Sequence, residues 1–147
     1  MQINPDFNIS AYTIRSYSND AVVIYTPVTE EQLRLQRTSP NHEAVQHTVS
    51  LEKPFIVSTT QLIEDWQVED PQNLTREDFA PILKQDIEIL ILGTGKRIHF
   101  PDPKIQLELQ NHGMGLEVMA TAAACRTYNF LVSDQRKVAM ALFLGNT

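Results

Sequence analysis

Apolar residues fall in two textures along this chain, and the second half is the clearer. Ile87-Glu-Ile-Leu-Ile-Leu92 is almost unbroken and stops at Gly93-Thr94-Gly95. Such a run, bounded by turn residues, predicts a strand buried on both faces, and the glycines predict a sharp turn at its end. Arg97 to Phe100 then extends the sheet or lines its end. Asp102 is a good N-cap with Pro103 at the first helical position, Ile105 and Leu109 give the inner face, and Gly113 ends the helix in the left-handed position. Leu116 to Met119 reads as a strand, Thr121 to Thr127 as a short Ala-rich helix, and Tyr128 to Val132 as another strand. Ser133-Asp134-Gln135-Arg136 turns the chain into a final strand, Lys137 to Leu144. So short a turn makes that last pair antiparallel.

In the first half, Ile9 to Tyr17, the turn Ser18-Asn19-Asp20 and Ala21 to Thr26 predict a hairpin. Residues 27–44 carry few large apolar groups. Thr29-Glu-Glu-Gln32 has the form of a capping box, but Leu33-Arg-Leu35-Gln-Arg37 alternates as a strand would, and the stretch reads as a mobile loop or insertion. Val45 to Leu51 resumes the pattern, with a second hairpin through Lys53-Pro54 into Phe55 to Val57, then an extended segment from Thr60 to Trp66. Thr75 is an N-cap with Leu74 and Phe79 placed as a hydrophobic staple, and Pro81 keeps that helix short.

Strand and helix signals alternating at this spacing predict a single α/β domain over residues 1–147. Its mixed sheet is centred on Ile87 to Leu92, and the N-terminal antiparallel strands form a second layer.

Composition narrows the partners. A length of 147 residues fits one domain, and 42% hydrophobic residues can fill a core. A net charge of −6 argues against nucleic acid or an anionic membrane surface. The longest apolar stretch, Val138 to Leu144, is far too short to span a membrane. The start of the chain resembles neither a secretion signal nor a transit segment, so a cytoplasmic protein is expected. Cys125 is the single cysteine, which leaves no internal disulfide and no cysteine metal cluster.

Candidate chemistry is thin. Gly93-Thr94-Gly95-Lys96 fails as a P-loop on spacing and on the residue after the lysine. It fails as a dinucleotide fingerprint because Ile98 holds the third glycine position. Two readings remain: a tight turn leaving a strand, or an anion site of turn amides with Lys96 or Arg97 nearby. Cys125 sits toward the end of its helix, where the dipole disfavours a thiolate, and reads as a buried structural thiol. His42, His47, His99 and His112 lack the i, i+4 spacing of a helical metal site, and no metal or cofactor is implied. Glu64-Asp65 and Glu69-Asp70 read as a solvated acidic edge. Tyr128-Asn129 reads as a helix-to-strand junction, a cap beside a core aromatic.

Four segments together resemble a known family: Leu62-Ile63-Glu64-Asp65-Trp66, Ile91-Leu92-Gly93-Thr94-Gly95, Gly113-Met-Gly115-Leu-Glu-Val-Met119 and Thr121-Ala-Ala-Ala-Cys-Arg-Thr-Tyr-Asn129. It is a domain-of-unknown-function family that includes small bacterial and archaeal proteins and the mitochondrial assembly factors for respiratory complex I. The resemblance covers about residues 50 to 144, and Ala-Cys-Arg-Thr-Tyr-Asn is its most specific part. It implies a three-layer β/β/α fold, no catalytic residues, and relatives that bind other proteins while a redox complex is assembled. The chain departs from the pattern at 27–44, which is longer, and at Ala120, where a polar helix cap is expected. The resulting expectation is a non-catalytic binding or assembly protein, a monomer or weak homodimer. Its protein partner would dock near Gly93, Thr94, Gly95, Lys96, Arg97, Tyr128 and Asn129. The alternative is a small-molecule enzyme or sensor binding an anionic ligand at the glycine turn.

Overall fold

The two most apolar stretches of the chain become neighbouring inner strands of one sheet. The computed structural model describes residues 10–38 and 47–147. In chain order its elements are β1 (Thr13–Tyr17), β2 (Val22–Tyr25), α1 (Glu30–Thr38), β3 (Thr48–Leu51), β4 (Phe55–Ser58), β5 (Leu62–Ile63), α2 (Ala80–Leu83), β6 (Ile89–Thr94), α3 (Pro103–Asn111), β7 (Gly115–Met119), α4 (Thr121–Ser133) and β8 (Val138–Phe143). The larger sheet has five strands in the order β5-β4-β8-β6-β7. β8 runs parallel to β6 and antiparallel to β4, β6 and β7 are parallel, and β4 and β5 are antiparallel. This is the mixed sheet of an α/β fold.

Side chains alternate between the two faces of that sheet, as a strand requires. Phe55, Val57, Ile91, Met140 and Leu142 face α4, whose Ala124, Cys125, Tyr128 and Val132 bury against them. Ile56, Leu90, Leu92, Ala139, Ala141 and Phe143 face the other way, onto Trp66, Phe79, Ile82 and the Ile105 and Leu109 stripe of α3. A second, antiparallel sheet, β1-β2-β3, lies on the α4 side and contributes Ile14, Val22, Ile24 and Leu51 to the first core. It is the second layer the N-terminal pattern predicts.

Several local expectations hold. The Ser18 hydroxyl accepts from the Asp20 and Ala21 amides and closes the β1–β2 turn. Asp102 accepts from the Lys104 N–H at 2.9 Å, and Gly113 takes a φ of +80° just after α3. The Asp78 carboxylate accepts from the Thr75 N–H and hydroxyl, and the helix containing Pro81 ends at Leu83.

Six expectations are corrected. Tyr128 to Val132 is not a strand, because α4 runs unbroken from Thr121 to Ser133. Its buried positions 121, 124, 125, 128, 129 and 132 keep helical spacing, which the polar Thr121 and Asn129 obscure in sequence. With no strand there, β8 has no antiparallel hairpin mate before it. The middle strand is β8, buried at every position, with Ile87 to Leu92 contributing β6 one place over. β3 and β4 do not form a hairpin, since they belong to different sheets. Residues 97–100 form no strand. Within 27–44 the capping box prevails. Gln32 accepts from the Thr29 N–H at 2.9 Å, the Thr29 hydroxyl accepts from the Gln32 N–H at 3.1 Å, and α1 follows with no buried residue. Ile9, His42, Val45 and residues 39–44 lie outside the described residues.

Candidate functional site

Gly93 and Thr94 are the last two residues of β6, so the turn begins at Gly95. Gly93 lies opposite Met119 on one side and Leu142 on the other. A Cβ there would stand 2.3 Å from Leu142 Cδ1 and 3.0 Å from Ala124 Cβ, so this glycine exists to let α4 approach the sheet. Gly95 has a φ of +92° and would press a Cβ to 2.9 Å from the Thr147 carbonyl oxygen.

Threonine hydroxyls organise the loop beyond Gly95. Thr94 is fully buried, donates to the Arg97 carbonyl at 2.6 Å and accepts from the His99 N–H at 3.0 Å, which clasps the 95–99 loop. Thr121 accepts from the Gly95 N–H at 2.8 Å and donates to the Phe143 carbonyl at 2.5 Å, while its own N–H donates to the Gly95 carbonyl. Ala120 stands at the N-cap without a capping side chain, and Thr121 inside the helix does the tying instead. The Gly95 amide is therefore directed into the protein and not toward a ligand.

Solvent meets a different set. Lys96 and Arg97 are exposed, as are Ile98 (52%) and Phe100 (74%), two apolar residues outside the set that sequence singles out at the turn. Their signal in sequence was apolar side chains in a short polar connection between a strand and an Asp-Pro helix start. Lys96 also borders a cleft of about 510 Å³ between the start of α4 at Ala120–Ala122 and the β1–β2 turn.

Tyr128 and Asn129 sit about 10 Å further along α4, two turns from Thr121. Both are buried. The Tyr128 hydroxyl donates to the Tyr12 carbonyl at 2.8 Å. Asn129 accepts from the Ile14 N–H and donates to the Ile14 carbonyl, each at 2.8 Å. They tie α4 to β1, and the geometry does not bring them to the surface that carries Lys96 and Arg97.

Elsewhere among the described residues, Cys125 is buried and His99, His112 and Asp70 are hydrogen-bonded. Burial pushes the Cys125 thiol up to about 12, against a smaller downward pull from Arg126. His99 Nδ1 pairs with the Gln72 amide at 3.2 Å and His112 Nδ1 with the Glu108 carbonyl at 2.9 Å. Asp70 accepts from the Gln72 N–H and from the Asn73 amide. Among the described residues no three His, Cys, Asp or Glu side chains gather as metal ligands would. No helix among them is long and apolar enough to cross a membrane.

Residues 35–143 match the model of a family described as protein of unknown function, DUF498/DUF598. The chain is 40% identical over 82 residues to NADH dehydrogenase [ubiquinone] 1 alpha subcomplex assembly factor 3 of Xenopus tropicalis, covering 54% of this chain and 45% of that protein. It therefore spans about half the length of that relative. It is 34% identical over 86 residues to the 13 kDa major membrane protein of Francisella tularensis, covering 58% and 70%. An NMR structure from Xanthomonas campestris superposes with a TM-score of 0.68 at 28% identity, covering 99% of this chain and 91% of that one.

Proposed function

The chain belongs to the DUF498/DUF598 family of proteins of unknown function, and from that premise we propose that it is a non-catalytic protein that binds another protein while a respiratory redox complex is assembled. The fate of its polar side chains supports the reading. Thr121, Tyr128 and Asn129 spend their side-chain hydrogen bonds on backbone groups of this same chain, and Cys125 is buried with its thiol held neutral. What the turn offers to solvent is Lys96 and Arg97 beside Ile98 and Phe100. An aromatic left 74% exposed in the same short loop as two exposed cations has the make-up of a binding hot spot, to be desolvated by a partner. The name of the Xenopus relative suggests the partner class, a subunit of an NADH dehydrogenase.

Affinity capture from the native host, run with the unaltered chain and with Phe100→Ser combined with Lys96→Glu, tests both parts. NADH dehydrogenase subunits should be retained by the unaltered chain and lost from the double variant at unchanged melting temperature. Equal retention by both removes this surface. Absence of such subunits from both removes the partner class.

The competing reading is an enzyme or sensor that holds an anion at Gly93 to Arg97. Its support is the cleft that Lys96 borders. On the assembly reading, melting temperatures stay flat across nucleotides, phosphates and carboxylates; a ligand of the native state would raise them by mass action.

A further inference from the structure

β7 is an outer strand of the larger sheet. Its inner side pairs with β6 in an unshifted register from Ile89–Gly115 to Gly93–Met119, and the Gly115 N–H donates to the Glu88 carbonyl. Backbone groups alternate in direction along a strand. Gly115, Glu117 and Met119 therefore direct theirs toward β6, and the N–H and C=O of Leu116 and Val118 point outward. Among the described residues no strand lies beyond them.

Proteins normally blunt such an edge with shortness, a bulge, proline or lysine. β5, at the opposite edge, has only two residues. β1, an edge of the smaller sheet, is interrupted between Ile14 and Ser16, and Asn129 takes both backbone groups of Ile14. β7 is neither short nor bulged and has no proline or lysine; its one such device is the charge of Glu117. It offers five residues, with half-buried Leu116 and Val118 and one exposed charge, Glu117.

We propose that the outer edge of β7 is a strand-docking site that takes an extended basic segment of a partner protein, with a Lys or Arg opposite Glu117. The proposal rests on the reading of the chain as a protein-binding module and names the chemistry its partner must bring. Main-chain pairing to Leu116 and Val118 supplies the register, and the charge across from Glu117 supplies preference. A second copy fits poorly. The antiparallel register that uses all four outward groups sets Glu117 of one copy directly opposite Glu117 of the other, and each copy carries a net charge of −6. The strand also ends level with Gly93, at the end of the sheet from which the Lys96 to Phe100 loop leaves.

Nine-residue synthetic peptides of alternating Thr and Val, centred on Lys or on Glu, are titrated into the isotope-labelled full chain. The Lys-centred peptide should move the Leu116 and Val118 amides most. It should bind about threefold to fivefold tighter than the Glu-centred one at low salt, the size of one cross-strand charge pair. N-methylation of its alternate amides should abolish binding. Val118→Pro removes an outward N–H at an edge position where proline is tolerated, and should abolish binding too. If that variant melts early, Glu117→Lys on the exposed side chain decides the matter by inverting the peptide preference. Shifts mapping elsewhere, equal affinity for both peptides, or a homodimer in sedimentation that Val118→Pro dissolves would each overturn the proposal. No peptide binding with dehydrogenase subunits still captured refutes the edge alone. Peptide binding without such capture refutes the assembly reading alone.

Discussion

Asn129 takes on β1 the place that a residue of a neighbouring strand would take, accepting from the Ile14 N–H and donating to the Ile14 carbonyl. Ile14 is fully buried, so Asn129→Leu leaves two backbone groups without water or partner. The expected cost is about 2–4 kcal/mol in urea unfolding, and a loss below about 0.5 kcal/mol would mean other groups satisfy them. Cys125 and Tyr128, on the same helix, are acids held neutral by burial, the thiol pushed up to about 12 and the phenol further above its ordinary value of 10. Both folded values exceed the unfolded ones. Their contribution is therefore fully present below the thiol's ordinary value of 9.0 and is lost as pH rises through the folded values. The urea midpoint should fall between about pH 8 and pH 11, and fall less in Cys125→Ala, where Tyr128 alone of the two buried acids remains. Iodoacetamide should label Cys125 slowly until the chain unfolds. Sequence placed the thiol correctly because a small residue among alanines on a helix has few other uses. It misjudged Asn129, whose partner lies on β1, far away in the chain.

At the scale of elements, α3 was legible to its ends because everything that forms it is local: Asp102, Pro103, the Ile105 and Leu109 spacing, and Gly113. α4 was not. Phe130-Leu-Val132 is as acceptable to a strand as to a helix, and the polar residues on its inner face hide the helical period. α1 shows the opposite balance, a helix set by its capping box with no buried side chain. Thr29→Ala should cost about 1 kcal/mol locally, speeding amide exchange within α1 about fivefold. The global urea midpoint should not move, because α1 buries nothing; a drop would place it against the body. Where elements meet, Gly93→Ala forces a methyl against Leu142 and Ala124. It should destabilise by about 1–3 kcal/mol, against no change if Gly93 served only a turn.

At the scale of the whole molecule, two cores share one sheet. Trp66 reports on one of them, packed 5.3 Å from Phe143 and 5.9 Å from Phe79 with its Nε1 donating to the Asp78 carbonyl. Cys125 reports on the other. Because β6 and β8 contribute side chains to both, Trp66 fluorescence and Cys125 thiol exposure should change at the same urea concentration, and separated midpoints would show the α4 side opening first. The candidate surface is likewise a tertiary product. Sequence singled out Gly93 to Arg97 and Tyr128-Asn129, but only Lys96 and Arg97 reach solvent, joined there by Ile98 and Phe100. The β1–β2 hairpin, α3, the short helix at Pro81, the apolar strands and an α/β class with a mixed sheet were all legible in the order of residues. Each of these follows from interactions within a few residues or from the need of an unbroken apolar run for cover on both faces. It took the folded arrangement to place β8 in the middle of the sheet, to part β3 from β4, and to carry α4 through Tyr128 and Asn129. Strand order depends on pairings between distant segments, and a polar side chain in a helix reads as a cap until its partner on another strand is in place.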